Sequence, residues 1–133
     1  MAVKQTKQAP AYHCPVEATL DVIGGKWKAL ILFHLRDAVL RFGELRRQIP
    51  GVSERMLAQQ LRELEEQGVV HREVYREVPP KVEYWLTDYG KTLRPITDLM
   101  CAWGKKHQRR MASSTARWPR GRPTSCGSSR PRS

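Results

Sequence analysis

The 133-residue chain carries 24 Lys and Arg against 13 Asp and Glu, a formal net charge of +11, and its length suits one domain around one core better than a pair. Nine of those cations fall in residues 104–133, which hold no Asp or Glu, leaving 15 basic against 13 acidic residues in 1–103. Bulk charge therefore supports only nonspecific attraction to polyanions, and a sequence-specific role has to rest on where individual side chains sit.

Cys14, Cys101 and Cys126 are odd in number and widely spaced, and the four histidines show no ligand spacing, so neither a disulfide framework nor a metal site is indicated. No apolar run nears the roughly 18 residues of a membrane span, and MAVKQTKQAPAYH has no signal-peptide core. A cytoplasmic protein with free thiols is expected. IGGKW lacks the Gly-Lys-Ser or Gly-Lys-Thr ending of a phosphate loop, and no local motif suggests a Ser, His and Asp set. The sequence thus indicates neither an enzyme nor a cofactor.

Residues 1–13 are polar and aperiodic, and flexibility is expected there. In PVEATLDVI, Pro15 suits a first helical turn, while Val16, Leu20 and Ile23 recur at four and three before Gly24 and Gly25 end the helix. KWKALILFHLR is apolar nearly all round, the profile of a central buried helix. RFGELRRQI reads as a third short helix, closed by Pro50 and Gly51. Ser53 then offers an N-cap oxygen, and Glu54 a favourable first-turn charge, to a fourth helix ending at Gly68.

VVHREVYREVPPKVEYWLT supplies two β-rich runs about a proline-stiffened tip, a hairpin. A last helix is predicted from Thr87 or Asp88, with Tyr89, Leu93, Ile96, Met100 and Trp103 at heptad spacing as a seam for another helix. Pro95 within it is expected to remove a hydrogen bond and bend it. Beyond His107 the Ser, Pro, Gly and Arg bias is that of a segment unable to bury a core. The expected organisation is a flexible 1–13, a domain over 14–107 and a basic disordered tail over 108–133.

On the fourth helix, Leu57, Leu61 and Leu64 fall on one face and Arg55, Gln59 and Arg62 on the opposite one. Helices, a turn, a polar-faced helix and a hairpin follow the order of a winged helix-turn-helix, mainly α with a small β-hairpin, and the heptad seam of the last helix favours a dimer. In that motif the second helix of the pair enters the major groove, where Arg donates twice to guanine and Gln pairs with adenine. Ser53 at the head of that helix joins Arg55, Gln59 and Arg62 as a candidate contact. Arg72, Arg76 and Lys81 on the hairpin, with Arg41 and Arg46 near the third helix, are candidates for phosphates or the minor groove. The blander readings are a solvated helix face, cross-strand ion pairs of Arg72 and Arg76 with Glu73 and Glu77, and a winged-helix module for protein contact without operator-specific binding.

CPVEATLDVIGGKWKALILFHL, RFGELRRQIPGVSERMLAQQLRELEEQGVV and VPPKVEYWLTDYGKTL resemble successive signatures of the HxlR-type transcriptional regulators of bacteria and archaea, over most of residues 14–107. The resemblance implies a homodimer that binds a near-palindromic operator in double-stranded DNA, its first and last helices forming the dimer. The basic tail departs from the family pattern, which ends near WGKKH. Cys14 stands beside His13 and before Pro15 at a helix N-terminus, where partial positive charge favours the reactive thiolate. Several members of the resembled family sense oxidants or electrophiles through a cysteine at this place, which makes Cys14 the redox-sensing candidate and an oxidant or small molecule the implied signal. Cys101 lies off the seam and reads as structural, Cys126 as exposed.

Overall fold

KWKALILFHLR forms α2 (Trp27–His34), whose Ile31, Leu32 and Phe33 are buried along with Leu35 just beyond it. An apolar helix cannot face water on any side, so it gathers the other elements around it. In the computed structural model, which describes residues 12–113, those are α1 (Pro15–Ile23), β1 (Leu40–Arg41), α3 (Phe42–Gln48), α4 (Glu54–Glu66), β2 (Val70–Tyr75), β3 (Lys81–Leu86), α5 (Asp88–Lys91) and α6 (Arg94–Ser113). α1, α3, α4 and α6 all pack on α2. The expectations for residues 1–11 and 114–133, Cys126 included, lie outside the described residues.

α1, α3 and α4 each begin where the sequence supplies a cap. Cys14 Sγ accepts the Val16 N–H at 3.5 Å, with Pro15 in the first turn, and Glu17 accepts the His13 N–H at 2.7 Å. The Arg41 N–H donates to Glu44 at 2.8 Å, opening α3. Ser53 Oγ accepts the Met56 N–H at 3.0 Å, opening α4. Gly68, at φ +80°, closes α4, and the Val69 N–H turns back to the Leu64 carbonyl at 3.2 Å.

The sheet is antiparallel in the order β1-β3-β2, so the hairpin read from the sequence carries a third, two-residue strand. Leu40 pairs with Tyr84 and Arg41 with Glu83, tying the start of α3 to the hairpin. A two-residue strand has no periodicity to read, so nothing local in the sequence marks it. The architecture is a winged helix-turn-helix, mainly helical with one small sheet.

The last helix is not one rod. The chain turns at Thr92 and Leu93 between α5 and α6, and Pro95 falls in the first turn of α6, where its missing N–H removes no helical bond. The bend expected from Pro95 is replaced by a break before it. α6 continues to Ser113, past the boundary placed at His107. It is clamped at its start to the turn that follows α2, where Arg94 meets Asp37 at 2.6 Å and Arg36 meets Asp98 at 3.2 Å, and Thr97 is buried there. Among the described residues no helix is long and apolar enough to cross a membrane.

α5 presses on the strand entrance. The Thr87 N–H donates to the Val69 carbonyl at 3.1 Å, and Thr87 Oγ1 donates to the Gly68 carbonyl at 2.7 Å. A Cβ on Gly90 would stand 2.0 Å from the Val69 oxygen and 2.9 Å from its carbonyl carbon, both backbone atoms that cannot swing aside. Gly90→Ala is therefore expected to destabilise the fold by about 3 kcal/mol or more, at the upper end for overpacking. Thermal unfolding checks this, and a melting temperature within a degree or two of wild type would contradict it.

Candidate nucleic-acid interface

α3, the turn over Ile49–Val52 and α4 form the helix-turn-helix. Leu45, Ile49, Val52, Leu57, Leu61 and Leu64 are buried in the common core, with Leu57, Leu61 and Leu64 at no more than 1% exposure. Each such leucine contributes roughly 1.5–3 kcal/mol of burial, which sets the rotation of α4 about its axis. Arg55, Gln59 and Arg62 are consequently all exposed on its outer face.

The predicted contacts differ in how free their polar groups are. The side chains of Arg55, Arg72 and Arg76 make no ion pair or hydrogen bond among the described residues. Arg62 is exposed, and its charge is felt by neighbouring Glu63 without an ion pair. Ser53 Oγ is used as the α4 cap, leaving its hydroxyl proton to donate outward. Arg41 is exposed beside the sheet, its backbone engaged in the cap of α3. Gln59 Nε2 donates to Glu63 Oε2 at 3.2 Å, and Glu63 Oε1 takes Lys28 Nζ of α2 at 2.7 Å. The hydrogen-bonded Lys28 ammonium, with Gln59 second, holds the Glu63 carboxyl below its ordinary range against the opposing effect of burial.

Two predicted cations are already spoken for. Arg46 is turned to the turn itself, its Nε donating to the Val52 carbonyl at 3.4 Å and its Nη1 standing 3.6 Å from Glu54. Lys81 lies over the Tyr75 ring at 4.6 Å with Glu77 and Glu83 each 3.9 Å away. The carboxylates flanking the wing arginines thus go to other groups, Glu73 to His71 at 2.7 Å and Glu77 to Lys81, and the cross-strand pairs with Arg72 and Arg76 do not form. Arg76 stands past the end of β2, in the tip. Arg47 of α3, passed over in the sequence, is exposed and free of ion pairs among the described residues. Adjacent arginines look alike in sequence; only the fold shows that Arg46 is the one turned inward.

Cys14 is exposed at the head of α1, and Cys101 is half-buried on α6. The five seam residues do not share one helix. Tyr89 is exposed on α5, Leu93 packs against the core, and Leu99 joins Ile96, Met100 and Trp103 around a shallow apolar groove on α6. The break before Pro95 resets the helical phase, so the heptad count begun at Tyr89 does not carry across it. Among the described residues no group of His, Cys, Asp and Glu is placed to hold a metal ion.

A buried-leucine helix with an arginine and glutamine outer face, followed by a wing that carries the unpaired side chains of Arg72 and Arg76, defines a DNA-binding helix-turn-helix protein. Residues 22–112 match the HxlR-like helix-turn-helix family, and the chain belongs to it, a family of transcriptional regulators. It is 57% identical over 98 residues to the HTH-type transcriptional regulator YdeP of Bacillus subtilis, covering 74% of this chain and 77% of that protein. The oxidized form of the redox regulator HypR is similar in structure at a TM-score of 0.68 and 59% identity, covering 70% of this chain and 96% of that one. The reduced form of the transcriptional regulator YodB from B. subtilis is similar at a TM-score of 0.61 and 38% identity, covering 71% and 94%.

On this geometry, Arg55→Ala should weaken binding to a preferred duplex by about 1–3 kcal/mol while leaving random DNA nearly unaffected. Arg72→Ala and Arg76→Ala should weaken all sequences alike and lower the salt slope by about 1 each. Lys81→Ala should do much less than either, because two carboxylates already face its ammonium. Titrations across a salt series separate these outcomes. A Lys81 effect as large as that of Arg76 would show that the pairing is given up on DNA.

Proposed function

We propose that the protein works as a homodimer gripping a near-palindromic operator, α4 of each copy in a major groove and each wing on the flanking backbone. In this reading oxidation or electrophile attack at Cys14 weakens the grip. The observation that carries it is a pair of uncovered apolar surfaces. Val16 and Leu20 of α1 are 61% and 55% exposed, and Leu99 and Trp103 of α6 are 70% and 63% exposed. Neighbouring large apolar groups left in water at both ends of a small domain favour a second copy as their cover. A two-fold pair repeats the reading face, so its half-sites lie about 34–36 Å apart along one side of the duplex. Such a regulator acts in the cytoplasm, on chromosomal DNA.

Support for the thiol comes from its place. Cys14 caps the helix that carries Val16 and Leu20, and HypR is itself a redox regulator. A peroxide that takes two electrons from the thiolate leaves a sulfenic acid and is itself reduced, enlarging and polarising a group next to the proposed contact. Two copies held at a fixed half-site spacing tolerate little relative rotation, so a local change at α1 is read as lost affinity.

Sedimentation of the wild-type chain is expected to give a dimer, and Leu99→Glu a folded monomer with greatly reduced operator affinity. A wild-type monomer would overturn the proposal. For the signal, duplex affinity should fall on mild oxidation and return with a reductant, while Cys14→Ser binds DNA and ignores the oxidant. Should the serine variant respond as wild type does, the signal enters elsewhere.

A further inference from the structure

Gln59 is the one member of the outer face of α4 whose side-chain amide has two chemically different ends, and only one of them suits what lies beside it. Glu63 sits one turn further along, 3.2 Å from Gln59 Nε2 through its Oε2. A carboxylate accepts and cannot donate, so the amide nitrogen has to face it and the amide oxygen has to face away. The other carboxylate oxygen is engaged by Lys28 Nζ at 2.7 Å, from α2 and thus from the core side of the helix-turn-helix. Lys28 is itself mostly buried, its side chain 15% exposed, so this is a seated partner rather than a passing surface contact. Its ammonium favours the ionised form of Glu63, which is the form that can only accept.

We infer that Lys28 and Glu63 are specificity-determining positioning residues: through a Lys28–Glu63–Gln59 chain they fix which end of the Gln59 amide meets the bases, selecting adenine over guanine. The inference rests on the reading of α4 as the groove helix. With one N–H given to Glu63, Gln59 keeps one N–H and both lone pairs of its oxygen for DNA. Adenine offers the matching acceptor N7 and donor N6, whereas guanine offers two acceptors, N7 and O6, and would leave the Gln59 oxygen facing one of them unpaired. Holding the amide before DNA arrives also removes rotamer entropy that would otherwise be lost on binding. Neither Lys28 nor Glu63 has to touch the duplex for this to work.

The test uses the full-length chain and a preferred duplex obtained by selection from a random pool, then the same duplex with each base pair changed singly. Gln59→Ala first marks the base pair that the amide reads. At that pair, Glu63→Gln and Lys28→Met should each reduce the ratio of adenine to guanine affinity about tenfold, within the range of one bidentate base contact. Lys28→Arg, which keeps a cation able to hold Glu63, should retain the ratio. A ratio cancels the general gain in affinity that comes from removing a negative charge near phosphates, and a loss of fold would lower both affinities together. Wild-type ratios in both Glu63→Gln and Lys28→Met would overturn the inference while leaving Gln59 as a reader. Undiminished base preference at every pair in Gln59→Ala would instead refute the role of Gln59 itself.

Discussion

Everything outward-facing on α4 depends on three leucines that cannot be outward-facing. Leu57, Leu61 and Leu64 fill the space between α2 and the strand entrance, and any rotation of the helix about its axis would bring one of them into water at a cost of roughly 1.5–3 kcal/mol. Their spacing of four and three allows one orientation only. Arg55, Gln59 and Arg62 are then fixed by exclusion. The α4 caps at either end, Ser53 and Gly68, fix the helix along its length as the leucines fix it in rotation. A reading surface built on a helix so constrained needs little further ordering when it meets DNA.

Electrostatics sort the remaining candidates. Residues 12–103 carry 13 Lys and Arg against 13 Asp and Glu, the remaining four cations of the described chain standing near the end of α6, so what matters is which cations are left over after internal pairing. Arg36 and Arg94 clamp α6, Arg46 braces the turn, Lys28 holds Glu63, and Lys81 is shared by Glu77 and Glu83. Arg55, Arg72 and Arg76, with Arg47 beside them in kind, have no such commitments among the described residues. Phosphate binding releases counterions only for charges not already neutralised by the protein, so Arg72 and Arg76 are the ones expected to carry the electrostatic part of affinity, with Arg55 expected to act on base sequence.

The long elements were legible in the sequence because each is patterned by its apolar residues. α2 and α4 show their buried sides in their Leu and Ile, whereas the apolar period of α1 buries only Ile23 and leaves Val16 and Leu20 exposed; the ends are marked by Pro15, Ser53 and Gly68. What escaped reading were features set by contacts distant in sequence. β1 is two residues whose only signature is pairing with Tyr84 and Glu83. The break at Thr92 and Leu93 is imposed by α5 lodging against the Val69 backbone, with Leu93 packed on the core, and it separates Tyr89 from the apolar groove of α6 that Leu99 joins. Among the site residues, type and spacing pointed to Arg55, Gln59 and Arg62, but nothing local tells Arg46 from Arg47 or reveals that Lys81 sits between two carboxylates. The Lys28–Glu63 pair joins residues on different helices and has no sequence signal of its own.

The central claim is that the outer face of α4 reads base sequence, as distinct from holding DNA by charge or docking a protein. Selection of bound duplexes from a random pool, run in parallel with wild type and an Arg55→Ala, Gln59→Ala double variant, tests it most directly. The account predicts an enriched near-palindrome for the wild type, with half-sites about one helical turn apart, and loss of that enrichment in the double variant although it still binds duplex at low salt. The same enriched sequence from both proteins, or none from the wild type, would contradict it.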